Sequence, residues 1–176
     1  MTSASAGPWR HALAVGLLPG TVAVLVPGLL VWQDGANPGW NLPLGWALLT
    51  ALGGVALVAA GVGLFAWTVG LFARRGRGTL APWDPTSSLV VSGPYLHVRN
   101  PMITGVGCVL AGEALLLGSP AIAVWLGIFA IVNGIYMPLV EEPGLVRRFG
   151  PAYETYRENV PRWVPRFSPW EPPASG

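Results

Sequence analysis

Four apolar stretches set the plan of this chain: Ala12 to Trp32, Leu44 to Phe72, Met102 to Leu117 and Ala121 to Val140. A helix takes roughly 17–25 such residues to cross a hydrocarbon core. The first stretch is interrupted by Pro19-Gly20 and Pro27-Gly28, which a membrane helix tolerates as kinks. It is too long for the roughly 7–15-residue core of a cleaved signal peptide. The second exceeds a straight crossing, so it tilts or protrudes. Its Gly53, Gly54, Gly61 and Gly63 admit the close approach of a neighbouring helix. The third is the shortest, and Gly118-Ser119-Pro120 joins it to the fourth so tightly that the two form an antiparallel hairpin. The pattern predicts one all-α membrane domain over 1–176, a bundle of four spans near 12–32, 44–72, 102–118 and 120–140.

Two polar segments complete the plan. The loop 73–101 contains Pro82, Pro85 and Pro94, so it is not one helix; it is expected to fold back over the mouth of the bundle. In the tail 141–167, Leu145, Phe149, Tyr153, Tyr156 and Val160 recur every three or four residues, the spacing of one helix face. Gly150-Pro151 breaks that helix in two, the glycine ending one and the proline opening the next. A helix lying on the membrane surface, anchored by Trp163 and Trp170, accounts for the pattern by itself.

Composition supports the membrane reading. Hydrophobic residues make up 52% of the 176 and charged residues 10%, against about 25% charged in soluble domains. Every basic side chain is Arg, and none falls in the connections after the first and third spans. Arg10 precedes the first span; Arg74, Arg75, Arg77 and Arg99 follow the second; Arg147, Arg148, Arg157, Arg162 and Arg166 follow the fourth. By the positive-inside rule both termini and the loop 73–101 are cytoplasmic, in a bacterial cytoplasmic membrane. Cys108 is the sole cysteine, and His11 and His97 are far apart, so no metal site and no disulfide are expected. Membrane lipids are expected partners, and nucleic acid is not.

Chemistry-bearing residues gather at the span ends. Gly93-Pro94-Tyr95, then Arg99-Asn100-Pro101, precede the third span; Glu141-Glu142 follow the fourth, with Leu145, Phe149-Gly150, Tyr153, Tyr156, Val160 and Pro165 beyond. In this order and spacing the motifs resemble the isoprenylcysteine carboxyl methyltransferase family and its phospholipid methyltransferase relatives, over Thr79 to Pro165. The resemblance implies an integral-membrane methyltransferase that uses S-adenosyl-L-methionine and acts on a lipophilic or small acceptor. It implies cofactor contacts at Ser87, Ser88, Leu89, Val90, Tyr95, Arg99, Asn100, Pro101, Met102, Ile103, Glu141 and Glu142. Gly105-Val106-Gly107 matches the Gly-x-Gly of the phospholipid N-methyltransferases.

The residue types suit that cofactor. Glutamate accepts from ribose hydroxyls or pairs with an ammonium, and glycine lets the backbone approach a flat ring. Other readings stay open: helix packing for Gly105 and Gly107, and a solvated helix end for the glutamates. Three positions depart from the family pattern. Asn100 replaces a His and is a weak catalytic candidate, since an amide is neither acid nor base near neutral pH. Ile103 replaces an aromatic residue, and Met137 stands where the prenylcysteine enzymes carry a substrate-binding Arg. Methyl transfer then rests on proximity, the acceptor entering from the lipid. Asn133 and Glu113 are intramembrane polar residues with candidate roles in the cofactor site and the bundle. The alternatives are an NADPH-dependent membrane reductase of the sterol-reductase type and a non-catalytic scaffold of the same fold.

Overall fold

The computed structural model describes residues 16–75 and 89–172. Expectations for Arg10, His11, Arg77, Ser87, Ser88 and the start of the first span fall outside them. Among the described residues every regular element is helical. A π-helical segment Gly16–Leu25 runs into α1, Val26–Asp34; then come α2, Leu44–Arg75, α3, Pro101–Leu117, and α4, Pro120–Tyr136. A second π-helical turn, Met137–Glu141, leads into α5, Glu142–Phe149, followed by α6, Pro151–Asn159. Both π-helical segments contain a proline, Pro19 and Pro138. A proline lacks the N–H of the i→i−4 bond, and widening the turn is one way a helix absorbs that loss.

Two helices are long and apolar enough to cross a membrane, Leu44–Leu71 and Pro120–Phe149. Only 11% of each apolar window is buried, so their hydrophobic side chains point outward, as lipid-facing helices do. The apolar part of the second ends at Val140, where Glu141 and Glu142 begin. α3 is apolar but shorter, at 17 residues.

The hairpin forms as its turn dictates: Gly118 closes α3, and the Ser119 side chain caps α4 by accepting from the Ile122 amide at 3.3 Å. The connection after α1 packs at this same end, with the Asn37 amide donating to the Leu117 carbonyl (2.8 Å) and Trp40 Nε1 to that of Leu115 (3.2 Å). α2 and α3 make the most extensive helix contact because glycines face glycines. A Cβ built on Gly61 would lie 2.5 Å from the Gly105 carbonyl oxygen, and one on Gly54 2.9 Å from that of Gly112. Of the two named with them from sequence, Gly53 faces the Leu115 side chain of α3 at 4.0 Å, whereas Gly63 sits off this seam, a Cβ there meeting nothing within 4 Å. The first helix closes the bundle, with Ala23 packed on Val106 and Leu110, and Trp125 Nε1 of α4 donating to the Val22 carbonyl at 3.0 Å.

Candidate functional site

At the opposite end the chain segment before α3 and the tail fold onto each other. Gly93, at φ 58°, turns the backbone beside Trp67 and Leu71 of α2, a conformation that favours glycine. The five tail positions that share a helical spacing do share a face: Tyr153, Tyr156 and Val160 are buried together, with Leu145, Phe149, Leu89 and Val91 packed around them. Gly150, at φ 54° and ψ −135°, makes the break between α5 and α6, in a region that side chains avoid. The tail then runs back along the motif as a strap. The Arg99 amide donates to the Pro161 carbonyl (2.9 Å), the Arg166 amide to that of His97 (3.0 Å) and the Trp170 amide to that of Leu96 (2.9 Å). His97 Nδ1 donates to the Arg166 carbonyl (2.8 Å) and the Tyr156 hydroxyl to that of Tyr95 (2.8 Å).

One carboxylate ties these pieces together. Glu142, 4% exposed, accepts from Arg99 Nη1 at 2.8 Å, from Arg162 Nε at 2.6 Å and from Arg162 Nη2 at 2.9 Å. Both of its oxygens are taken up, so a buried charge is paired on two sides, the condition under which burial is tolerated. The π-helical turn before it sets its direction. The neighbouring Glu141 is half-buried and has no hydrogen-bond or ion-pair partner among the described residues. The two adjacent glutamates therefore have different surroundings, which adjacency alone does not reveal.

Between α3 and α4 lies a cleft of about 260 Å³. Ile103, Thr104 and Gly107 line it from α3, Leu126, Phe129, Ala130 and Asn133 from α4, and Trp163 of the strap covers it. Asn133 Nδ2 donates to the Phe129 carbonyl at 2.8 Å, leaving its oxygen available to a ligand. Gly105 and Gly107 part company here: a Cβ on Gly105 would meet the Gly61 carbonyl oxygen at 2.9 Å, whereas one on Gly107 meets nothing within 4 Å. Gly105 serves the α2 seam and Gly107 opens the cleft.

Of the other residues expected at the site, Val90 and Tyr95 are buried under the tail, Leu89 packs on its aromatic face, and Pro101 opens α3 fully buried. Asn100 Nδ2 reaches the Arg162 carbonyl at 3.4 Å, and the Asn100 carbonyl accepts from both the amide and the hydroxyl of Thr104 (3.0 Å each). Met102 is half-buried, and Ser88 lies outside the described residues. Trp163 and Trp170, for which the sequence leaves a surface-anchor reading open, each make an inward contact: Trp163 lines the cleft and Trp170 packs against Tyr156, ring centroids 5.8 Å apart. The strap has no helical period, so its inward residues carried no signal in the sequence. Thr104, Phe129 and Leu126 were also missed, although Leu126, Phe129, Ala130 and Asn133 keep helical spacing around the one polar residue among them.

The site is rich in buried polar groups, and Glu142, Arg99 and Arg162 pair their charges with one another. Burial raises the phenols of Tyr95, Tyr153 and Tyr156 above their ordinary range, so they stay neutral hydroxyls. The hydrogen bonds to Glu142 push Arg162 up, fixing its positive charge. Among the described residues, Ser92 Oγ and Arg99 Nε are buried at this end without a hydrogen-bond partner. Buried polar groups are nearly always bonded, which makes these two atoms, neither of them on a cleft-lining residue, candidates to meet a ligand's acceptors.

Those orphans fit S-adenosyl-L-methionine. Its carboxylate is an acceptor of the kind Ser92 Oγ and Arg99 Nε lack, its ammonium and ribose hydroxyls are of the kind a carboxylate such as Glu141 takes, and the bare Gly107 leaves one wall of the cleft open. A family model described as phospholipid methyltransferase matches residues 49–152, more than half of the chain, from within α2 to the start of α6. No curated protein and no solved structure matches.

Proposed function

This chain belongs to the phospholipid methyltransferase family, a family of S-adenosyl-L-methionine-dependent membrane methyltransferases, and from that premise we propose how it methylates a lipid acceptor. The cofactor is held where the segment 89–103 meets Glu141 and the strap. Glu141, Ser92 and Arg99 Nε supply the polar contacts, Leu89, Val90, Tyr95, Asn100, Pro101, Met102 and Ile103 the frame, and Gly107 the open floor. Glu142 contributes by holding Arg99 and Arg162 in place. Four spans cross the membrane, with the site and both termini cytoplasmic; the packing of the α1–α2 connection beside the hairpin turn supports that up-and-down path.

Bound S-adenosyl-L-methionine supplies a methyl group activated by a sulfonium. The chain's task is then alignment and exclusion of water, which can account for a large share of such a barrier. The cleft is apolar apart from Thr104 and Asn133, and no general base lines it. The acceptor therefore arrives with a free lone pair or loses its proton to water. Its reacting group reaches the cleft between α3 and α4 past the outer face of α4, which carries exposed Val124, Ile128 and Ile131, a surface suited to a lipid. Met137 in place of a cation, with Arg162 and Arg99 Nη1 already on Glu142, argues against a free carboxylate as the acceptor.

What supports this reading is the cleft that Trp163 helps to line, together with the unpartnered Ser92 Oγ and Arg99 Nε of the motif before α3. Titration calorimetry in detergent tests it: Glu141→Ala should abolish S-adenosyl-L-methionine binding. Unchanged affinity would remove the glutamate from the site.

A further inference from the structure

Trp163 reaches the cleft from an irregular segment, and irregular backbone does not aim a large ring by itself. What fixes it is the residue before. The Arg162 guanidinium makes two parallel bonds to Glu142, at 2.6 and 2.9 Å, and its carbonyl accepts from Asn100 Nδ2 at 3.4 Å. The Pro161 carbonyl accepts from the Arg99 amide at 2.9 Å. Residues 161 and 162 are thus held by backbone and side chain together, and the next Cα carries the ring that lines the cleft. On the other side Val164 and Phe167 are exposed, and the next tether, Arg166 on His97, lies three residues away.

We propose that Arg162 is a positioning residue for methyl transfer, aimed by Glu142 so that Trp163 forms the cytoplasmic wall of the cleft. The inference rests on the reading of the cleft as the methyl-transfer site. An aromatic wall suits that role, since a ring face attracts a cation held against it and excludes water from the reacting pair. The fork geometry of arginine matters: lysine can replace one of the two bonds to Glu142 but not both. With its side chain 30% exposed, Arg162 gives up part of its bonding to solvent competition, and about a tenfold effect is the expected scale.

The test is a double-mutant cycle on S-adenosyl-L-methionine affinity, with a spectroscopic reading of the protein alone. Arg162→Ala should weaken binding about tenfold and Arg162→Lys by less. Trp163→Ala should weaken it at least as much as Arg162→Ala, and Arg162→Ala added to Trp163→Ala should cost nothing more. In protein labelled with 5-fluorotryptophan, the fluorine resonance missing from Trp163→Phe should shift or broaden in Arg162→Ala while the other eight of the nine tryptophans hold their positions. Effects that multiply in the double variant, or an unmoved Trp163 resonance, would overturn the proposal while leaving the cofactor site standing. A wild-type protein that binds no S-adenosyl-L-methionine overturns the site reading and this inference with it. Should Arg162→Ala fail to fold, Arg162→Lys carries the same comparison.

Discussion

Adding one methyl group at Gly61 or at Gly63 gives two variants that differ only in what the methyl meets. Both glycines lie in α2, so alanine gains the same helix preference at each, about 1 kcal/mol. At Gly63 the new Cβ meets nothing within 4 Å, and the gain stands. At Gly61 it lies 2.5 Å from the Gly105 carbonyl oxygen and 2.9 Å from the Val109 nitrogen. These are backbone atoms of α3, which no rotamer change can move aside. Overpacking of this kind costs about 1–3 kcal/mol or more. Because the helix term cancels between the variants, the gap is the steric cost alone. At about 2–4 °C per kcal/mol for a chain of this size, Gly61→Ala should melt several degrees below Gly63→Ala. The midpoint for loss of the monodisperse peak, after heating in one detergent, reads the difference. Equal midpoints would mean that α2 and α3 do not cross at the Gly61–Gly105 seam.

Gly107→Leu should leave that melting point within a degree or two of wild type, since the side chain enters open space, but raise the KM for the acceptor or the Kd of S-adenosyl-L-methionine at least tenfold; an unaltered enzyme would take the cleft out of the reaction. Glu142→Ala should destabilise the tail by about 3–5 kcal/mol, the range for stranding a buried partner, because the Arg99 side chain is only 9% exposed. Hydrogen exchange at the Arg99, Arg166 and Trp170 amides should rise together in that variant, and retained protection would show that the strap holds without the ion pairs.

The apolar runs placed α2 and the α3–α4 hairpin within a residue or a few, because chain length and turn chemistry are local properties. The tail face from Leu145 to Val160 was equally legible, since a three-to-four spacing has one structural meaning. The roles of Gly105 and Gly107 were not separable from the motif alone. Two residues apart on a helix they point some 200° from one another, so one motif necessarily serves two faces, and which face meets α2 is a tertiary fact. Glu141 and Glu142 pose the same problem, compounded by the wide turn at Pro138, which alters the angle at which the helix delivers them. The place of Trp163 was not legible because its sequence context also suits an interfacial anchor, and the bonds that hold residues 161 and 162, from Arg99, from Asn100 and to Glu142, are all tertiary.

The partners of Glu142 lie 43 residues before it and 20 after it. During synthesis Arg99 and Glu142 emerge with the helical hairpin, but Arg162 and the strap follow only when every apolar helix has already left the ribosome. On the proposed site, insertion into the bilayer therefore precedes closure of the donor pocket, and a prematurely stopped chain would be threaded through the lipid while blind to its methyl source. Such a product would be retained as a membrane protein yet titrate no cofactor, a separation of biogenesis from competence written into one carboxylate.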